Sequence, residues 1–235
     1  MIFSESISTF LPGLLVNILF PLLFVLLIPN GLVGQEGPQK PDSSSEIPKK
    51  ANARPPDDRV KEAEPFDGAS LEKMAAQCVT LETESGSIEI TLIPEAALES
   101  VRNFLNLVAT GALDTTTFSR TVKDFVIQGG NLSTSAKWGP ALSQRMARKI
   151  PDEPNYIKHE RGVLSMARTQ EPNSASTHFF ILVGDGHHLD GKFTAFGRVI
   201  KGIEVADVIN RAPAEGEKPE KPVRINHALI APCSK

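Results

Sequence analysis

The chain has 235 residues, enough for one domain of ordinary size with appendages. It is 40% hydrophobic, which can fill a core, and its formal net charge of −3 gives no basic footprint for nucleic acid. No glycine-rich phosphate loop and no Cys/His cluster with metal-ligand spacing occurs, so no cofactor and no metal is expected. The adjacent pair His187–His188 reads as a surface turn and not as a metal-ligand set.

From Ser6 to Gln35 there is no charged residue. Residues 10–28 are nearly all Leu, Ile, Val and Phe, broken by Pro12, Gly13, Asn17 and Pro21. That length serves as a secretory signal or just reaches across a bilayer. Pro21 and Pro29 weaken a permanent span. Asn30 and Gly31 break the helix just ahead of Leu32–Val33–Gly34, where a signal peptidase could cut. Against this, Met1 to Phe10 carries Glu5 and no Lys or Arg, so the basic flank of a signal is missing and charge does not set orientation. Residues 1–34 are therefore expected to be a signal peptide or a membrane anchor. Either way the chain is exported, to a periplasm or the outside. No lipobox cysteine follows the apolar run.

Residues 35–75 read as a disordered Pro/charge-rich linker. Six prolines and one aromatic, Phe66, fall between 35 and 70, too little apolar surface to offset the entropy of ordering. It is either a spacer that projects the domain from a membrane or a tolerated tail.

The domain is placed at 76–235. Cys78–Thr83 and Ser87–Ile93 alternate apolar and polar residues around Glu84–Ser85–Gly86, a hairpin. Glu95–Ala109 turns helical, with Val101, Phe104, Leu105 and Val108 on one stripe and Gly111 closing it. Strands are expected at Thr117–Ser119 and Phe125–Gly129. The run Phe118–Gly130 packs an arginine, two phenylalanines and a glutamine into β-type sequence. In an ideal strand Arg120 and Phe125 face opposite sides, and a bulge or bend brings them to one site. Between Asn131 and Ile150 the chain is a basic loop, a partner surface or simply variable. Strands follow at Val163–Ala167, Phe179–Leu182 and Ala195–Val199. A second short helix covers Gly202–Arg211, with Ile203, Ala206 and Ile209 inward, and the last strand is Arg224–Ala231. Many short strands with two helices indicate an all-β barrel.

Three blocks now stand in order: Phe118–Ser119–Arg120 through Gln128–Gly129–Gly130; Gly162–Val163–Leu164–Ser165–Met166–Ala167–Arg168–Thr169 through His178–Phe179–Phe180; and Leu189–Asp190–Gly191–Lys192–Phe193 through Arg198–Val199. In this order they resemble the cyclophilin-type peptidyl-prolyl cis/trans isomerases, in a bacterial-like form. The resemblance covers roughly residues 76–234. It implies an eight-stranded antiparallel barrel capped by two α-helices, preceded here by the apolar N-terminal helix and the linker. It also implies action on proline-containing polypeptides; with the exported N-terminal segment, folding of exported proteins is the expected setting, and a monomer is expected.

The reaction so implied is rotation about an X–Pro amide, whose barrier is about 18–20 kcal/mol. No bond breaks, so no nucleophile is required. A fixed cation that donates toward the amide nitrogen favours the twisted form. Arginine, permanently charged and forked, suits this role. By the resemblance Arg120 stands at the catalytic arginine, and Gln128 at a polar residue that bonds the substrate backbone. Phe125, Val126, Phe180 and Leu189 match the proline pocket. Ala167 and the main chain of Arg168 match the rim where the peptide lies extended. Several positions depart from the pattern. His178, His188 and Phe193 are placed among the substrate-binding residues by the same match, but His178 replaces a glutamine, His188 an aromatic residue, Phe193 and Ser119 histidines, and Val126 a methionine. In the family the terminal strands lie close, so Cys78 and Cys233 are expected to form a disulfide, the alternative being two free buried thiols.

Overall fold

The computed structural model describes residues 63–233. The readings for residues 1–34 and for 35–62 of the linker lie outside them. Among the described residues no helix is long and apolar enough to cross a membrane.

In chain order the elements are α1 (Leu71–Ala75), β1 (Gln77–Thr83), β2 (Gly86–Leu92), α2 (Leu98–Ala109), β3 (Arg120–Val122), β4 (Val126–Gly129), α3 (Pro140–Ala147), β5 (Val163–Met166), β6 (Phe179–Leu182), β7 (Ala195–Lys201), α4 (Ile203–Asn210), β8 (Ala214–Glu215), β9 (Lys218–Pro219) and β10 (Ile225–Pro232). Eight strands form one antiparallel sheet in the order β10-β1-β2-β7-β5-β6-β4-β3, and β8 pairs with β9 apart from it. The sheet curls until the approaches to its two edge strands meet. Phe118 N–H donates to Val223 C=O, Thr115 N–H to Ile225 C=O, and Ile225 N–H to Thr116 C=O. This is the expected all-β barrel.

Period-two alternation explains why these strands form. Val79 and Leu81 of β1 stand opposite Ile90 and Ile88 of β2, and all four are fully buried. In β6 the alternation serves two cores. Phe179 and Ile181 enter the main core, where Phe179 meets Phe104 and Phe118 edge-on. Phe180 and Leu182 enter a smaller cluster with Val126, Val163 and Ala195. Helix α2 buries Val101, Phe104, Leu105 and Val108 as the stripe requires. It packs on β7 and β10, while α4 packs on β2, β3 and β4. The Glu153 carboxylate caps α2 from a distance, accepting from the Glu99 and Ser100 N–H groups. Cys78 and Cys233 are joined by a disulfide that ties β1 to the segment after β10.

Four features differ from the sequence reading. The bend expected within Phe118–Gly130 is a full hairpin, with Arg120 opposite Gln128 and Val122 opposite Val126. Asp124, with φ of 56°, makes the tight turn. Consequently Thr117–Ser119 is not a strand of the sheet; Thr117 makes only an isolated bridge to Arg224. The loop 131–150 contains α3, which opens on Pro140 at its first turn. It buries no residue fully, so its pattern gave no stripe. The end of the supposed linker is part of the domain. Phe66 and Met74 are buried in the main core, and the Glu64 carboxylate accepts from Arg145 Nε at 2.7 Å and Arg148 Nη1 at 2.8 Å. Finally, β8 and β9 form a miniature hairpin around Gly216.

Candidate active site

The β3–β4 hairpin carries four of the residues singled out in the sequence. Because Arg120 and Gln128 are direct cross-strand partners, their side chains share a face. Arg120 Nη1 donates to Gln128 Oε1 at 3.1 Å. The turn that follows Val122 sets Phe125 beside them, and the start of β4 adds Val126. The Asn210 side chain, from the end of α4, clamps this turn. Its Oδ1 accepts from Asp124 N–H at 2.8 Å, and its Nδ2 donates to the carbonyls of Val122 and Val126 at 2.8 and 3.0 Å.

Phe180 of β6, Leu189 from a short 3-10 turn, Phe193, Ala167 and Arg168 complete one cavity of about 420 Å³ with Arg120, Phe125, Val126 and Gln128. Gly186 leaves the necessary space: a Cβ there would lie 2.6 Å from Leu182 Cδ2 and 3.1 Å from Phe125 Cε2. Phe180 and Phe193 meet edge-on at 6.2 Å. The Arg168 guanidinium lies 4.8 Å from the Phe193 ring centroid, and its Nη groups donate to the carbonyls of Thr169 and Lys192. Arg168 thereby stiffens a wall of the cavity instead of projecting a charge into it.

Two residues placed in the site by sequence position do not line the cavity. Strand β6 begins at Phe179, opposite Gly129, so His178 lies past the end of the β4–β6 ladder. Its carbonyl accepts from Ala167 N–H at 3.0 Å. Burial holds its imidazole below the usual value. His188 sits in the 3-10 turn with its ring 5.4 Å from that of Phe125, against which it packs.

Sequence reading missed three contributors. Glu217, at the tip of the β8–β9 hairpin, accepts from Arg120 Nε at 2.7 Å. This hydrogen bond holds the Glu217 carboxyl below its ordinary range. Asn210 is the second. The third is a buried chain behind Phe180. The His159 ring stacks 6.4 Å from Phe180, its Nδ1 lies 3.2 Å from Asp190 Oδ1 and its Nε2 lies 3.1 Å from Ser165 Oγ. The His159 backbone N–H, aided by Lys158, lowers the Asp190 carboxyl to about 2. Burial holds His159 itself low, against the pull of Asp190. Ser, His and Asp so arranged resemble a nucleophilic relay. Yet Ser165 and His159 are both fully buried, and the Ser165 hydroxyl donates to Thr194 C=O. No substrate reaches them, and the chain reads as an internal brace. Among the described residues no group of three or more His, Cys, Asp or Glu is placed to hold a metal ion.

What remains at the surface is an apolar cavity with one anchored cation and one amide at its lip. Such a site can hold a small ring and donate hydrogen bonds without covalent chemistry. A family model described as cyclophilin type peptidyl-prolyl cis-trans isomerase/CLD matches residues 78–230. A peptidyl-prolyl cis-trans isomerase of Arabidopsis thaliana is 37% identical over 155 residues, which are 65% of this chain and 94% of the relative. Peptidyl-prolyl cis-trans isomerase A of Dickeya dadantii is 37% identical over 165 residues, 65% of this chain and 83% of the relative. The crystal structure of a Cryptosporidium parvum cyclophilin-type isomerase in the presence of the dipeptide Ala-Pro superposes with a TM-score of 0.58 at 30% identity. It covers 66% of this chain and 98% of that one.

Proposed function

Because the chain belongs to the cyclophilin type of peptidyl-prolyl cis-trans isomerases, we propose that it turns X–Pro bonds in exported polypeptides as they fold, with Arg120 as the catalytic group. The enzyme acts on proline-containing polypeptides. Uncatalysed X–Pro exchange takes tens to hundreds of seconds, slow enough to limit folding.

In this mechanism the proline ring enters the cavity against Phe125, Val126, Phe180 and Leu189, with Phe193 as a further wall. The acyl side of the bond is then free to rotate. As the amide twists, its nitrogen loses conjugation and regains a lone pair. A guanidinium N–H of Arg120 donates to that lone pair and stabilises the twisted form more than either planar one. Gln128 spends its oxygen on Arg120, which leaves its Nε2 amide to donate to a substrate carbonyl. Ala167 and the main chain of Arg168 line the path of the extended peptide. The observation that carries the assignment is the anchored guanidinium at the lip of the apolar cavity.

Support for export comes from the Cys78–Cys233 disulfide and from the charge-free stretch between Ser6 and Gln35. Disulfides persist in oxidising compartments. N-terminal sequencing and intact mass of the protein recovered from cells test it. A chain beginning near Gln35, or a full chain in the membrane fraction, gains about two daltons on reduction. Recovery from the cytoplasm with Met1 intact and both thiols free would overturn the reading.

A further inference from the structure

The β8–β9 hairpin has no place in the eight-stranded sheet, yet its tip touches two consecutive residues of β3. Glu217 C=O accepts from Thr121 N–H at 2.9 Å. The Glu217 carboxylate accepts from Arg120 Nε at 2.7 Å. Gly216, with φ of 61°, makes the turn that presents both groups. Thr121 is buried in the strand, while Arg120 emerges from it toward the cavity.

We propose that Glu217 is a positioning residue for Arg120, one that aims the guanidinium at the substrate amide. This rests on the reading of Arg120 as the catalytic cation. An arginine side chain has several rotatable bonds and loses substantial rotamer freedom when fixed. Arg120 is 41% exposed and Glu217 57%. Water therefore screens their attraction, and the pair adds little to stability. What the contact supplies is direction. Gln128 holds one Nη from the strand side and Glu217 holds Nε from the hairpin side. A planar fork fixed at two points has one remaining orientation. Its other Nη N–H groups have no partner among the described residues, and so remain available to substrate. The backbone bond between Thr121 and Glu217 is independent of the side chain at 217, so substitution there leaves the hairpin docked.

The test uses the full-length chain with Glu217→Ala, Glu217→Gln and Arg120→Ala. NMR exchange spectroscopy on a Xaa-Pro peptide reads kcat and KM, and the Arg120 Nε–Hε signal reads side-chain order. Misaiming a catalytic group costs about tenfold or more. The expected result is a fall in kcat of about tenfold for Glu217→Ala with KM within about twofold. Its Hε should exchange faster with water. Glutamine keeps an acceptor for Nε without the charge, so Glu217→Gln restores kcat and Hε protection. If Glu217→Ala keeps the wild-type kcat while Arg120→Ala is slow, the positioning role is wrong and the role of Arg120 stands. If glutamine is as slow as alanine, charge and not aim is at work, and the proposal fails. If Arg120→Ala turns over normally, both fail.

Discussion

His159 has no contact with the cavity's interior, yet it braces the wall from behind. It joins Asp190, next to Leu189, with Ser165 in β5, and it stacks on Phe180. Its protonation state therefore matters to stability. Burial lowers its pKa in the folded protein below the ordinary value. At pH near 6 the unfolded chain binds more protons than the folded one, so stability rises with pH there. Buried His178 pulls in the same direction. Asp190 acts lower down: its carboxylate contributes stability above its unfolded value, lost as pH falls toward about 2. The expected outcome is a midpoint of thermal unfolding that falls steadily from pH 7.5 to pH 5. In His159→Gln that fall becomes shallower, because one of the two histidines no longer titrates. An equal slope in wild type and variant would show that His159 does not carry this dependence.

Among the elements, the β3–β4 hairpin does most for the site, and its shape is set from outside. The turn at Asp124 has only short strands on either side, and Asn210 supplies three hydrogen bonds to its backbone. Removing that side chain leaves buried backbone groups unpaired, at about 1–3 kcal/mol for such a loss. Urea unfolding of Asn210→Ala should show a destabilisation of about 2 kcal/mol, and kcat should fall as Phe125 and Arg120 lose their fixed relation. Retention of both stability and kcat would contradict the clamp. The segment before α1 is a second case. Phe66 is buried against α2, and its N–H donates to Asn106 Oδ1 at 2.7 Å. Phe66→Ala should cost about 3 kcal/mol by urea unfolding, as buried phenylalanines do; a change within error would return this segment to the linker. Composition concealed it. A single phenylalanine among prolines and charges gives no periodic pattern, and only the tertiary groove shows where it goes.

At the scale of the whole molecule, β1 and β2 were legible from period-two alternation, β5 and β6 as short apolar runs and α2 from its unbroken apolar stripe, whereas β3 lies just after the strand expected at Thr117–Ser119. The cavity's nine lining residues were legible from motif order; most sit on or close to a strand, and Leu189 lies in the 3-10 turn. Contacts between segments far apart in sequence were not legible. Glu217 reaches Arg120 across 97 positions and Asn210 reaches Asp124 across 86, and no local pattern announces either. His178 and His188 are a separate case. Sequence position assigned them to the site, but the end of the β6 ladder and the 3-10 turn leave them outside the cavity lining. The assembled chain sets the guanidinium of Arg120 at the lip of an apolar cavity, and the proposed mechanism has a twisted amide meet it there. The most direct measurement is the exchange rate of a Xaa-Pro peptide with Arg120→Ala beside the wild type, with near-UV circular dichroism on both. The account requires turnover to fall by about a hundredfold, the scale of losing one preorganised donor, with an unchanged folded spectrum. Wild-type turnover by a folded Arg120→Ala protein would contradict it.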